Sequence, residues 1–397
     1  MGGSGISGYG DSRRGERGQV LGLVAIAMVA ILAMVGLVID GGNVFSHQRM
    51  TQNATDSAAN AGATVIAKNL LTAGETDATV DAAVLAAAAA NQTTVVDKQY
   101  TDIAGNLIGV TVGSAPGGTI PAGAAGVMVS GQRTFVAFVS RVIGINSYTT
   151  TTDATAAAGS LVGVCPADAG CGVWPVTVPV TTVFCDGNGD PVLSSDYWPK
   201  DGTIVEVPLC RSGPGNVGWL DFHPPAGGAS ELADTILNPD NDSIKIPDWY
   251  FVAQTGNVNS AQVEDALRTY QDDLVLLPLF SDTCNIDPGD NPGGPLPCPG
   301  NQHGNGQNLY YLFQAYAGFR VCGPLTPGCT TFDPEGDGAI DVSEGAYITG
   351  NPSECSSGNG QTSCFFGRFE DIIFSGTIAA SPGNPGGPLA VGVQLIK

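Results

Sequence analysis

Basic residues are scarce in this chain: 15 Lys and Arg stand against 37 Asp and Glu, leaving a formal net charge of −22 over 397 residues. So acidic a surface repels phosphate backbones, which argues against nucleic acid as a partner and favours cations or basic protein surfaces. Histidine is rarer still. His47, His223 and His303 stand far apart, and no close Cys-x-x-Cys pair accompanies them, so the ligand spacing of a zinc site is missing. Recognisable catalytic patterns are missing too. Neither His223 in DFHPP nor His303 in NQHGN is marked as the base of a serine or cysteine nucleophile. No phosphate-cradling glycine loop carries its lysine, and in a chain this acidic no single pair of carboxylates stands out. The expectation is a structural protein and not an enzyme. Charged residues of both signs make up only 13%, while glycine occurs 56 times and proline 26. That composition belongs to a turn-rich, β-rich exported protein and not to a charged disordered polymer.

What the chain does possess is one long apolar run, the uncharged stretch from Val20 to Ile39. At about 1.5 Å per helical residue it spans roughly 30 Å, the thickness of a bilayer's hydrocarbon core. Secretory signals have a shorter apolar region and a small-x-small cleavage site. Here the nearest such triplet, Ala59-Asn60-Ala61, lies well beyond the run in a stretch that reads as helix, so the run is expected to be a retained anchor. Arg13, Arg14 and Arg17 precede it. By the positive-inside rule residues 1–19 are cytoplasmic, residues 20–39 cross the cell membrane once, and residues 40–397 are extracytoplasmic. All ten cysteines fall between Cys165 and Cys364, in the region placed outside, which predicts disulfides. Sequential loops Cys165/Cys171, Cys185/Cys210, Cys284/Cys298, Cys322/Cys329 and Cys355/Cys364 fit the spacing, although spacing alone leaves connectivity open.

Beyond the run the sequence keeps helical character, with Gln48, Gln52 and Asp56 recurring on one face among many alanines, so the helix is expected to continue out of the membrane. DATVDAAVLAAAAANQ predicts a second helix capped by Asp77 or Thr79. From about Val95 short β-type runs take over. VMVSGQ and SYTTTTDATA read as strands around TFVAFVSRVIG, whose Phe135, Phe138, Val139, Val142 and Ile143 fall at helical spacing and predict a helix. Residues 40–160 therefore read as an α+β stalk.

The segment RGERGQVLGLVAIAMVAILAMVGLVIDGGNVFSHQRMTQNATDSAANAGA resembles the amino-terminal part of the Tad/Flp pilus-assembly family, the TadE/TadG-like proteins. The resemblance is carried by Arg17-Gly18-Gln19 before the run, Gly36 and Asp40 at its outer end, then Gln52, Asn53, Ala54, Asp56, Ala58, Ala59, Gly62 and Ala63. It is tight over about 50 residues and looser to about residue 160, and it implies a pilin-like stalk, a role in pilus or secretion assembly, and other pilus-assembly or pilin-like membrane proteins as partners. The small residues of the emerging helix would let similar helices approach closely. Two family features are lacking. The fifth residue after Gly15 is Val20 where processed pilins carry glutamate, which favours an uncleaved, TadG-like protein, and no DxSxS motif of a von Willebrand-type domain occurs.

Residues 161–397 read as a separate β-rich, sandwich-like, disulfide-containing domain. Its strand candidates are VWPVTVPVTTVF, TIVEVPLC, DLVLLPLF, YYLFQAYAGFRVC and PLAVGVQLI, with one helix at SAQVEDALRTYQ capped by Ser260. Within it DPEGDGAIDVSE resembles an EF-hand calcium loop. Asp333, Glu335, Asp337, Asp341 and Glu344 offer side-chain oxygens, Ala339 its carbonyl, and Gly338 the sharp turn. DGNGD at Asp186–Asp190 is a poorer relative, with Pro191 where glycine should stand. The sequence thus predicts a calcium-stabilised outer domain on a membrane-anchored assembly component. The alternative from another functional class is a membrane-anchored, calcium-dependent adhesin or binding module.

Overall fold

The structure, a computed structural model, describes residues 16–164, 172–185, 191–209, 218–220, 229–239, 241–252, 261–302, 309–323, 325–329, 347–348, 363–379 and 390–396. Its class is α+β, with a long apolar amino-terminal helix leading into β-rich sheets.

Helix α1 runs unbroken from Glu16 to Leu71, 56 residues and roughly 84 Å at the usual rise. No proline interrupts it, and Gly41 and Gly42 are carried within it although each glycine costs a helix about 1 kcal/mol. The continuation of the apolar run into a polar, alanine-rich helix is therefore as the sequence predicts. Helix α2, Asp77–Ala90, returns along α1. Its cap is Thr76 and not Asp77 or Thr79. The Thr76 hydroxyl accepts from the Thr79 N–H at 3.3 Å, and the Thr79 hydroxyl accepts from the Thr76 N–H at 2.9 Å. This reciprocal pair satisfies both donors and releases Asp77 for the core.

Four strands follow: β1 Thr94–Thr101, β2 Leu107–Thr111, β3 Gly126–Val136 and β4 Ser147–Val164. The helix predicted over TFVAFVSRVIG does not form. β3 holds Phe135 and Val136 in ladder register with Tyr148 and Ser147 of β4, and only Ser140–Ile143 makes a single 3-10 turn at the hairpin's tip. Helical spacing misled here because those apolar side chains serve no common buried stripe: Phe135 is buried in the sheet while Phe138, Val142 and Ile143 are exposed.

The first sheet is eight-stranded, in the main order Ile372–Ser375, Ala390–Leu395, β4, β3, β1, β2. The chain's last strands thus return to lie beside β4. α1 and α2 cover one face of this sheet. Ala58, Ala59, Ala63, Ile66 and Ala67 of α1 and Val80, Val84 and Ala88 of α2 pack on Tyr100, Val127, Val129, Ala154 and Ala156. The second sheet, also eight-stranded, centres on Leu309–Val321 between Leu274–Cys284 and Ser363–Glu370. Leu277, Leu279, Ala315, Ala317 and Phe319 bury one of its faces against helices α3, Ala229–Leu237, and α4, Ala261–Arg268. Opposite, Leu276, Phe280, Phe313 and Tyr316 share a cluster with Leu161, Val164 and Ala390 of the first sheet. The disulfides Cys284–Cys298 and Cys322–Cys329 close two of the five expected sequential loops. The other six cysteine side chains lie outside the described residues.

Candidate functional site at the anchor junction

Two physical demands meet where α1 leaves its apolar run. The run has almost no protein partner, nearly every side chain from Val20 to Ile39 being exposed, and it is long and apolar enough to cross a membrane, whereas the helix beyond Asp40 packs on a sheet. Among the described residues α1 is the only helix long and apolar enough to cross a membrane.

Small residues set how close the sheet comes. Ala54, Ala58, Ala59, Ala63 and Ala67 are buried on the sheet-facing side of α1. A Cβ added at Gly62 would lie 2.8 Å from Val84 and 3.1 Å from Val127, and one at Gly131 of β3 would lie 2.2 Å from the Thr55 methyl. The alanine and glycine positions of the Tad-like pattern are therefore already filled by contacts within this chain. The expectation that they pack against neighbouring helices is corrected accordingly: close approach requires small residues, and here the close partners are α2, β3 and β4.

Hydroxyl pairs join the same surfaces. Thr51 meets Thr150 at 2.8 Å and Thr55 meets Thr152 at 3.0 Å, each pair buried. Gln52 donates its amide to Asp56 at 2.8 Å and to the Asp153 carbonyl at 3.2 Å, so two of the family-pattern polar residues hold one another and the sheet. His47, one of the three histidines, stacks on Phe135 with ring centroids 3.9 Å apart.

Asp40 closes the junction. Its carboxylate accepts from the backbone N–H groups of Phe138 at 2.9 Å, Val139 at 3.1 Å and Ser140 at 2.6 Å, and from the Ser140 hydroxyl, which also meets the Tyr148 hydroxyl at 2.7 Å. The Ser140 hydroxyl foremost, with the three N–H groups adding to it against a burial penalty, holds the carboxyl down at about 2. One helical turn lower, a Cβ at Gly36 would meet Val139 at 2.5 Å, so only glycine admits the hairpin there. Gly36 and Asp40 were legible in the sequence as a pattern. Their partners Phe138, Val139 and Ser140 were not, and the available signal was an apolar, charge-poor hairpin tip where polar turn residues are usual.

The predicted calcium ligands Asp333, Glu335, Asp337, Ala339, Asp341 and Glu344 lie outside the described residues, as do Asp186–Asp190, His223 and His303. Among the described residues no group of three or more His, Cys, Asp or Glu is gathered as a metal site.

No curated protein and no solved structure matches the chain. One family model does, that of Tad, described as putative Flp pilus-assembly TadE/G-like, and it covers residues 18–65. Those limits take in the apolar run, Gly36, Asp40 and the small residues through Ala63 that seat the helix on its sheet. The amino-terminal segment of this chain, which carries the apolar run and the helix that packs on the first sheet, is similar to TadE/G-like proteins.

Proposed function

We propose that this chain is a membrane-anchored structural component of a Tad/Flp-type pilus or secretion apparatus, working with other pilus-assembly or pilin-like membrane proteins rather than catalysing a reaction. The observation that carries this reading is the coincidence of the family match with one continuous helix. Residues 18–65 include both the apolar run, almost bare of protein contacts apart from Gly36, and the part of the helix buried on the first sheet. A rigid rod of this kind transmits position and load from the bilayer to a folded outer region, which is what an assembly scaffold requires.

Orientation follows from charge and cysteine chemistry. Arg13, Arg14 and Arg17 keep residues 1–19 in the cytoplasm, and disulfides at Cys284–Cys298 and Cys322–Cys329 suit an oxidising, extracytoplasmic space. Calcium bound at Asp333, Glu335, Asp337, the Ala339 carbonyl, Asp341 and Glu344 is part of the same reading and rests on the twelve-residue spacing of those oxygens.

Deleting the gene in its native host, with complementation by the full chain, tests the function directly. Loss of surface pili or of the apparatus's secreted cargo, restored by complementation, is expected. Normal pili and secretion in the deletion strain would sink the assembly role, and protection of residues beyond Asp40 from protease added to intact cells would reverse the orientation.

A further inference from the structure

We infer that the β3–β4 hairpin tip, residues 136–145, is a second membrane foot, embedded in the leaflet beside α1 on the side of the folded region. The inference rests on the membrane-anchored reading of α1.

Height is the first argument. Val139 packs where a Cβ on Gly36 would stand 2.5 Å from it, and Gly36 lies four residues below Asp40 within the apolar run, about 6 Å down the helix. The tip therefore descends past the end of the run, to the level of Val35, Leu37 and Val38, whose side chains are exposed around the helix. Any bilayer that covers those side chains covers the tip as well.

Composition is the second. Phe138 is 64% exposed, Val142 87% and Ile143 77%, with Val136 and Ile145 exposed beside them. A hairpin tip in water normally carries Gly, Asn, Asp or Ser for its turn geometry, and five apolar side chains at one tip, contiguous with a membrane run, fit acyl chains instead. Arg141 is the one charged residue of the tip, and its long apolar stem lets the guanidinium reach headgroup phosphates while its neighbours stay lower.

Polar bookkeeping is the third argument, since backbone groups in hydrocarbon must find partners within the protein. The N–H groups of Phe138, Val139 and Ser140 go to Asp40. Those of Ala137, Val142, Gly144 and Ile145 go to carbonyls of the same hairpin, at 3.0 to 3.1 Å. Asp40 thus serves as the clamp that takes up three of this tip's donors where it enters lipid. Two feet fix the rotation and tilt of a helix that a single span leaves free, and with them the direction in which the outer sheet points.

Tryptophan quenching in vesicles decides the matter. The full chain is reconstituted in phosphatidylcholine vesicles whose acyl chains carry bromine either near the headgroup or near the chain end, and emission is read as the difference from the parent protein. Three variants are compared: Phe138→Trp at the tip, Leu32→Trp in the run, and Leu107→Trp on exposed β2. Phe138→Trp is expected to lose most of its added emission, more to the shallow bromines than to the deep ones, with Leu32→Trp showing the opposite depth order and Leu107→Trp unaffected. Quenching of Leu32→Trp with Phe138→Trp as bright as Leu107→Trp overturns the second foot and leaves the anchor standing. Emission from Phe138→Trp that is unquenched but blue-shifted, and that reverts when protein is diluted in lipid, gives the tip to a second copy and also overturns it. If Leu32→Trp itself is unquenched, the anchor fails and takes the foot with it.

Discussion

Replacing Asp77 removes an acceptor that three donors share. Its carboxylate, 4% exposed, accepts from the Tyr100 hydroxyl and the Gly113 N–H on one oxygen, both at 2.8 Å, and from the Ala115 N–H on the other at 2.9 Å. Tyr100 is fully buried and Ala115 nearly so. Burial by itself would raise the carboxyl's pKa, but the N–H groups of Gly113 and Ala115 and the Tyr100 hydroxyl outweigh it and hold the group below the ordinary 3.8. The phenol is pushed up by burial and by its bond to Asp77. Each buried donor left without a partner costs about 1–3 kcal/mol. Asp77→Ala orphans two such donors, the third being able to rehydrate, so a loss of about 3–5 kcal/mol is expected once the charge-assisted character of the bonds is included. Asp77→Asn keeps one carbonyl oxygen for Tyr100 and Gly113 but turns its amide hydrogens toward the Ala115 N–H, for a loss of about 2–3 kcal/mol.

The assay is thermal melting of the full chain in detergent, with amide hydrogen exchange read at Gly113 and Ala115. The pH dependence carries a definite sign. A carboxyl whose folded pKa is depressed contributes fully above its unfolded value and loses that contribution as pH falls through the lower folded value. The gap between parent and Asp77→Asn should therefore be largest near neutrality and should narrow in acid below pH 3.8. A melting temperature for Asp77→Ala within error of the parent, or a gap indifferent to acid, would refute the reasoning.

Gly62→Val should cost about 1–3 kcal/mol by overpacking, because its Cβ meets Val84 and Val127 at 2.8 and 3.1 Å, and an unchanged melting temperature would show that α1 does not seat so closely. Asp40→Ala should speed exchange of the Phe138, Val139 and Ser140 amides while leaving those of β1 alone. In the parent the same amides should stay protected at mild acidity and lose that protection progressively below pH 3.8, down to about 2, where the Asp40 carboxyl takes up its proton in the folded protein. Millimolar calcium should raise the melting temperature of the full chain and magnesium should raise it less. Glu344→Gln should abolish most of the calcium effect, and a variant that responds as the parent does would reduce the loop to an acidic turn. Replacing Cys284 and Cys298 by serine should cost about 3 kcal/mol for opening a loop of sequence separation 14, and the Cys322–Cys329 pair, at separation 7, about 2.5 kcal/mol, both read by denaturant titration against the parent.

Patterns with one dominant physical cause were legible in the amino-acid order. The run from Val20 to Ile39 can only be a helix in lipid or a buried one, and the helix continues because nothing from Asp40 to Leu71 breaks it. The apolar strand candidates YYLFQAYAGFRVC and DLVLLPLF fall on the two central strands of the second sheet, Leu309–Val321 and Leu274–Cys284. At TFVAFVSRVIG two causes competed. Its apolar spacing fits a helix, yet β3 and β4 already supply ladder partners through Val136, and pairing across the hairpin satisfied the backbone there. Helix α3 gave no comparable signal in a stretch rich in glycine and proline.

Local sequence determined the apolar run, the helix that continues from it, the β-rich character of the remaining chain and the cysteines available for closure. Only the tertiary structure decided what those elements meet. It placed residues 377–379 and 391–395 beside β4, across more than two hundred residues of intervening chain, because a sheet edge is completed by whichever strand the whole fold delivers. It also turned the small residues of α1 inward. Alanine and glycine in a sequence say that something approaches closely, and the partner is fixed by where β3, β4 and α2 come to rest. The same holds for Asp40, whose carboxylate is an isolated charge in the sequence and becomes a clamp because the hairpin tip is folded back to the end of the apolar run, where its N–H groups have no nearer acceptor of that strength.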